Sequence, residues 1–282
     1  MIMHKILIPL LLAVQIQAAS YNNKLEFGLK TTSYDYTERD SEDKVLDTER
    51  SDFFEVGGIY GSYDHKIKES RKDEYDIAYY INLYGSIEYG DTDYIGSILG
   101  SNQGYGSSRS TTANSFYEFQ ANLKRVTNYQ KSSRYIGLGL GYKEWKRELS
   151  VRQIETYYYF FMQAVLGGEI SVFKKWYLGL DLTAQLAYKP KMDADFSGST
   201  QSLHETFDLG RTYTYKLAIP LRVPLYKELS FVTKAEYAFT SIGRSNVISV
   251  PDFPNPGDTN SFLEPDSQQK NWHLYAGLQL TF

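Results

Sequence analysis

Apolar and polar side chains alternate with a period of two residues at the end of this 282-residue chain. The apolar or aromatic members of the segment are Trp272, Leu274, Ala276, Leu278, Leu280 and Phe282. Successive side chains of a β-strand point to opposite faces of the sheet, so this segment has one apolar face and one hydrophilic face. The same alternation recurs in nine upstream segments, which predicts a sheet of about ten strands.

Within a strand, residues whose numbers are all odd or all even lie on the same face. We use this parity to assign the apolar set of each segment to one face of the sheet. The regular sets lie within residues 77–89, 117–123, 136–142, 158–172, 176–188, 213–225 and 229–239. The first two segments are less regular, and we assign to the same face Leu25, Phe27, Leu29, Phe54, Val56 and Tyr60. Gly137, Gly139 and Gly141 form a row on the opposite face, where a missing side chain would let a bulky group approach the wall.

The alternation predicts an all-β fold, a closed antiparallel transmembrane β-barrel of about ten strands. Mean hydropathy is only -0.44, as expected when one face of every strand is polar. A barrel has no sheet edge, so no backbone group is left unpaired in hydrocarbon. The abundance of aromatic residues, 26 Tyr and 15 Phe, favours strands and membrane boundaries. Twelve strands remain open if a long loop hides a hairpin, eight if the first two segments are mispaired, and a soluble β-sandwich is the alternative architecture.

The N-terminus indicates export. A short charged start at residues 1–5, an apolar run at 6–14 and small residues at 17–20 are typical of a signal peptide, so we predict cleavage of residues 1–19 and a barrel over 20–282. An even strand number would put both termini in the periplasm of a Gram-negative cell. Short links at 174–175 and 227–228 would be periplasmic turns, and long polar links near 38–50, 91–114, 190–211 and 244–270 extracellular loops.

The last segment resembles the closing strand of bacterial outer-membrane proteins, which ends in a C-terminal Phe. This resemblance implies that Phe282 is the signal read by the barrel-assembly machinery, and that outer-membrane lipid and lipopolysaccharide surround the wall. The overall pattern is similar to that of small porin-like barrels of the outer membrane, a likeness of architecture rather than of motif.

Parity places charged side chains of both signs in the barrel lumen. They are Glu26, Lys30, Glu55, Glu88, Glu118, Lys124, Lys143, Glu155, Glu169, Asp181, Lys216, Arg222, Lys234 and Glu236. Buried charges are tolerable when paired, and about 8 strands are filled by side chains whereas 16 to 18 leave an aqueous channel. We therefore expect a salt-bridged interior and a structural or surface-interaction role, with the loops contacting a surface ligand. A narrow, porin-like solute channel is the alternative.

A second alternative is a surface hydrolase. Ten strands and five outer loops resemble the omptin proteases, which place an acidic pair in the second outer loop and an Asp-x-His pair in the fourth. The resemblance implies catalytic roles for Asp91, Asp93 and His204, although Ser202 stands where the omptin pattern has Asp. No two His stand at metal-ligand spacing, so we expect no metal site, and we expect no cofactor. The net charge of -4 and the lack of a basic run give no indication of a nucleic-acid partner.

Overall fold

The computed structural model describes residues 23–71, 74–96, 104–150, 153–173, 176–195, 204–251 and 259–282. The predicted signal peptide lies outside them. Within these ranges no helix is long and apolar enough to cross a membrane. The described strands are β1 (Lys24–Arg39), β2 (Val45–Arg71), β3 (Asp76–Gly96), β4 (Ser108–Tyr129), β5 (Ser132–Ser150), β6 (Gln153–Phe173), β7 (Trp176–Asp195), β8 (His204–Asp208), β9 (Tyr213–Tyr226), β10 (Leu229–Ile242), β11 (Ile248–Pro251), β12 (Thr259–Phe262) and β13 (Asp266–Thr281).

Ten of these strands close into an antiparallel barrel, as the sequence predicts. Their order is β6-β5-β4-β3-β2-β1-β13-β10-β9-β7, and β7 pairs with β6 to complete the ring. β8 extends the edge of β7 beyond the ring. β11 and β12 form a separate hairpin between β10 and β13. The hairpin that a twelve-stranded barrel would need therefore exists, but it lies outside the wall.

The wall is longer than the apolar segments suggest. β2 alone has 27 residues, and β3 and β4 pair as far as Gly96 and Ser108. The predicted limits of the loops near 38–50 and 91–114 are therefore wrong at both ends. Most residues in these ranges belong to strands that continue the barrel wall. Hydropathy contrast ends where both faces of a strand become polar, but backbone pairing does not depend on that contrast and continues.

Two rings of exposed aromatic side chains bound an apolar belt on the outer face. The mouth ring, far from the chain termini, contains Tyr89, Phe119, Phe160, Tyr188, Tyr215 and Trp272. The terminal ring, near both termini, contains Tyr129, Phe173, Trp176, Tyr226 and Phe282. Between them the exposed side chains are chiefly aliphatic, among them Leu29, Leu138 and Leu182. Such a belt between two aromatic girdles is the outer surface expected of a transmembrane barrel.

The predicted parity of the second segment is wrong. Val56 and Tyr60 are buried inside the barrel, while Ile59 is 58% exposed on the outer face. The pairing of β2 shifts register between Arg50 and Val56, and Phe54 within that shift has a φ of 76°. This β-bulge turns Phe54 outward and reverses the alternation that follows it. Glu55, predicted to face the lumen, is exposed in the same bulge.

Candidate functional site

A row of amide side chains crosses the barrel interior below its middle. Asn122 of β4 donates to Asn82 Oδ1 of β3 at 3.0 Å. Gln163 of β6 donates to Asn122 Oδ1 at 2.6 Å, and Gln185 of β7 donates to Gln163 Oε1 at 2.9 Å. Between β4 and β6 the row passes over Gly139 of β5, where a Cβ atom would overlap Asn122 Oδ1. The glycine row of β5 thus accommodates neighbouring side chains of the wall itself.

Ion pairs fill the next layer toward the mouth. Lys216 Nζ of β9 lies 2.7 Å from Glu118 Oε1 of β4, and these strands are not neighbours, so the contact runs across the lumen. Lys30 Nζ of β1 lies 2.5 Å from Glu88 Oε1 of β3. Lys143 stands opposite Glu118 in the pairing of β4 with β5. These five side chains line a cavity of about 30 Å³, room for one or two water molecules.

Five further charged side chains assigned to the lumen also have partners there. Arg222 Nη2 lies 2.6 Å from Glu169 Oε1, and Lys234 Nζ lies 3.3 Å from Glu236 Oε2. Asp181 accepts a hydrogen bond from the hydroxyl of Tyr135. Charges of both signs are thus spread through the interior in contact with one another, as buried charges require.

Above the mouth ring the interior becomes aromatic. We define the mouth cluster as the packed side chains of Tyr34, Tyr36, Phe116, Trp145, Tyr157, Met192, Ala194, Phe207, Leu209, Ile242, Ile248 and Phe262. Trp145 stacks on Tyr157 with ring centroids 4.5 Å apart, and Tyr36 meets the indole edge-on at 5.1 Å. Because β8, Leu209 and the β11–β12 hairpin all contribute, the mouth cluster fills the lumen like the core of a soluble domain.

Arg147 lies at the centre of the mouth cluster and is only 1% exposed. Its Nε donates to Glu49 Oε1 at 2.9 Å, its Nη1 donates to Glu38 Oε1 at 3.0 Å, and Nη1 lies 3.1 Å from Glu155 Oε2. The guanidinium also lies over the Tyr36 ring, 4.6 Å from its centroid. One cation therefore faces three buried carboxyl groups.

A fourth carboxyl group, that of Glu264, completes the site from the segment before β13. It accepts a hydrogen bond from the Tyr157 hydroxyl. Burial, reinforced by repulsion from Glu38 and Glu155, holds the pKa of Glu264 well above its ordinary value. Burial likewise raises the pKa of Glu155, although attraction to Arg147 opposes the change. Both groups lie above the mouth ring, outside the apolar belt.

The structure does not bring the candidate hydrolase residues together. Asp91 and Asp93 lie in β3, not in a loop, and their exposed side chains are on the outer face of the wall. His204 begins β8 and pairs with Asp195 of β7. Three strands, β4, β5 and β6, separate β3 from β7 around the ring. Water activation requires such groups around one point, so the described geometry gives no support to a site made of these three residues.

Sequence reasoning missed the Arg147 site. Glu155 was assigned to the lumen, but Arg147, Glu38 and Glu49 were not, because each lies beyond the apolar segments to which the alternation was applied. A signal was present: Arg147 has the same parity as Lys143, and Glu38 the same as Lys30. Extending strand parity beyond the apolar belt would have placed both inside.

Comparisons with known proteins show the fold alone. No protein-family model matches the chain, and no curated protein matches it. Among solved structures, the outer-membrane protease OmpT of Escherichia coli is similar with a TM-score of 0.51 and 11% identity, over 94% of this chain and 99% of that one. The β domain of the Bordetella autotransporter BrkA aligns at a TM-score of 0.41 and 11% identity, over 93% of this chain and 100% of that one. The chain thus has the fold of a bacterial outer-membrane β-barrel, without an assigned family.

Proposed function

We propose that this protein is an integral outer-membrane barrel whose lumen is plugged by its own side chains and whose mouth end is its working part. Its role is structural or one of surface interaction. The observation that carries this proposal is the mouth cluster: the wall rises above the mouth ring with a solid aromatic and charged interior. A rigid, filled extension suits the presentation of a binding surface and does not suit solute passage.

The outer face of that extension supports its exposure to water. Above the mouth ring, β5 turns Glu144, Lys146 and Glu148 outward, in line with the apolar Leu138 and Leu140 below. Charged side chains are costly in hydrocarbon, so the membrane boundary lies at the ring. In this proposal the terminal end faces the periplasm, residues 1–19 direct export, Phe282 serves assembly, and lipopolysaccharide meets the wall just above the ring.

The side of the membrane that each end faces can be tested by thiol labelling, because the chain contains no cysteine. Glu42→Cys places a thiol in the exposed turn between β1 and β2, at the mouth end. Its matched control, Lys131→Cys, lies in the exposed turn between β4 and β5, at the terminal end. In intact cells a membrane-impermeant maleimide should modify Glu42→Cys at once and Lys131→Cys only after lysis. The reverse pattern, or equal labelling, would overturn the proposed orientation.

The narrow-channel and hydrolase alternatives predict different behaviour. A channel needs a continuous water path, whereas ion pairs, the amide row and the mouth cluster occupy the described lumen. The fold shared with OmpT brings no site residues with it, since Asp91, Asp93 and His204 are not assembled here. Peptide cleavage by the native protein that is lost in Asp91→Ala or His204→Ala would replace the surface role with a hydrolase.

A further inference from the structure

Two described stretches of chain between β10 and β13 pack against the mouth end of the barrel interior. We call these stretches, residues 243–251 and 259–265, the cap. Ile248 and Phe262, which face each other in the β11–β12 pairing, pack against the mouth cluster. The two arms of the cap are joined where Ser245 N donates to Glu264 O at 2.9 Å and Glu264 N donates to Ser245 Oγ at 2.8 Å. These hydrogen bonds connect Glu264 directly to both arms of the cap.

The Glu264 side chain attaches the cap to the wall in an acidic environment. The charged or titratable groups that face it are Glu38 and Tyr36 of β1, Arg147 of β5, and Glu155 and Tyr157 of β6. Glu49 of β2 lies on the same guanidinium. Four carboxyl groups thus share one cation, and all four are buried. Full ionisation would leave a net negative charge inside the barrel with no solvent to screen it.

The Tyr157 hydroxyl lies between two carboxyl groups and has one proton to donate. Its Oη lies within hydrogen-bonding distance of both Glu264 Oε1 and Glu155 Oε2, the latter at 3.3 Å. A hydroxyl group has one proton to donate, whereas an ionised carboxylate can only accept. If Tyr157 donates to Glu264, Glu155 must carry a proton to complete its contact, and if it donates to Glu155, Glu264 must. Both contacts of the Tyr157 hydroxyl are therefore hydrogen bonds only when one of the two carboxyl groups carries a proton; without that proton one carboxylate loses its hydrogen bond to Tyr157.

We propose that the cap is a pH-sensitive lid, held shut over the mouth cluster by a carboxyl proton shared among Glu264, Glu155 and Tyr157, and released when that proton is lost. Release exposes the aromatic mouth cluster to the medium. The apolar contacts of Ile248 and Phe262 then have to hold the cap against repulsion between Glu264 and its neighbours Glu38 and Glu155.

The direction follows from linkage. A carboxyl group whose pKa is raised in the closed state binds its proton more tightly there than in the open state. Closure is therefore fully favoured at low pH, and it weakens as the pH rises above the ordinary carboxyl range and through the raised pKa of Glu264. Between the ordinary carboxyl pKa and that raised value, the ratio of open to closed protein increases about tenfold per pH unit for one proton lost, and above the raised value it levels off.

A buried thiol under the cap measures the opening. Ala194 is 1% exposed within the mouth cluster, and Ala194→Cys creates a single thiol there. The maleimide reaction rate of Ala194→Cys in lipid vesicles is divided by that of the exposed Glu42→Cys at each pH, which removes the pH dependence of thiol ionisation. From about pH 5 to about pH 10 the ratio should rise at least tenfold. A ratio that stays flat would overturn the proposal.

The variant Glu264→Gln tests whether ionisation of Glu264 causes the pH dependence of the labelling ratio. Its neutral amide can still meet the Tyr157 hydroxyl, so the ratio for Ala194→Cys should stay low across the whole pH range. The matched control Glu42→Gln, in an exposed turn, should leave the rise intact. A rise that persists unchanged in Glu264→Gln would contradict the proposal. If Ala194→Cys fails to fold, hydrogen exchange of the Ser245 amide in otherwise native protein gives the same readout: faster with rising pH, beyond the intrinsic rate, in the native protein but not in Glu264→Gln.

Discussion

Replacement of Arg147 with Met should destabilise the barrel more than any exposed substitution on the same strand. The change keeps an elongated side chain among Trp145 and Tyr36 but removes the one cation from Glu38, Glu49 and Glu155. All four charged groups are at most 9% exposed, so water cannot replace the lost contacts. Breaking a buried pair by deleting one partner costs about 3–5 kcal/mol, and we expect the free energy of unfolding to fall by about that amount at neutral pH.

Urea unfolding in lipid vesicles, followed by tryptophan fluorescence, gives this free energy. Lys146→Met is the matched control, because Lys146 pairs with Glu148 at 2.6 Å on the exposed face of the same strand and such pairs contribute about 0–1 kcal/mol. Adding Glu49→Gln to Arg147→Met should recover part of the loss. Near pH 4, where ordinary carboxyl groups begin to protonate, the cost should shrink. A loss under about 1 kcal/mol at neutral pH, no greater than that of the control, would refute the assignment of Arg147 as the centre of a buried charge network.

Two backbone positions give further predictions. Gly139→Ala should destabilise the barrel by about 1–3 kcal/mol, because its Cβ would overlap Asn122 Oδ1 and lie 2.6 Å from Ala121 O; Gly61→Ala, whose Cβ would meet only Glu26 O at 3.8 Å, should be nearly neutral, and equal urea midpoints for the two variants would argue against the amide row. Phe54→Gly should raise the free energy of unfolding by about 1 kcal/mol, since Phe54 has a positive φ that Gly adopts without strain and is 84% exposed; a clear loss of stability would show instead that the Phe54 ring makes contacts in the membrane.

The sequence is informative wherever the two faces of a strand differ in polarity. Between the aromatic rings one face meets an apolar surface and the other a polar lumen, so parity alone places Leu138 outside and Lys143 inside. The assignment by parity fails after Phe54, because the β-bulge there reverses the alternation of the side chains. The bulge is recognised only from the pairing of β2 with its neighbouring strands. The row at Gly139 indicates close approach, but not that Asn122 is the group that approaches.

Above the mouth ring the contrast between faces is reversed, because the interior is aromatic and the outer face is charged. Arg147 looks like one more surface residue between Lys146 and Glu148, and only closure of the barrel brings it to Glu38 and Glu49, which lie about a hundred residues earlier in the chain. Such long-range pairing depends on which strands become neighbours, and local polarity carries no information about it. Because local polarity does not reveal strand pairing, residues that we expected in loops proved to continue the strands of the wall.

Single-channel recording of the refolded protein in a planar bilayer at neutral pH tests the filled lumen most directly. Insertion is verified in the same preparation by labelling of Glu42→Cys from one side. The ion pairs, the amide row and the mouth cluster predict a current indistinguishable from that of the bare bilayer. Discrete, reproducible conductance steps from the inserted protein would contradict a lumen plugged by its own side chains.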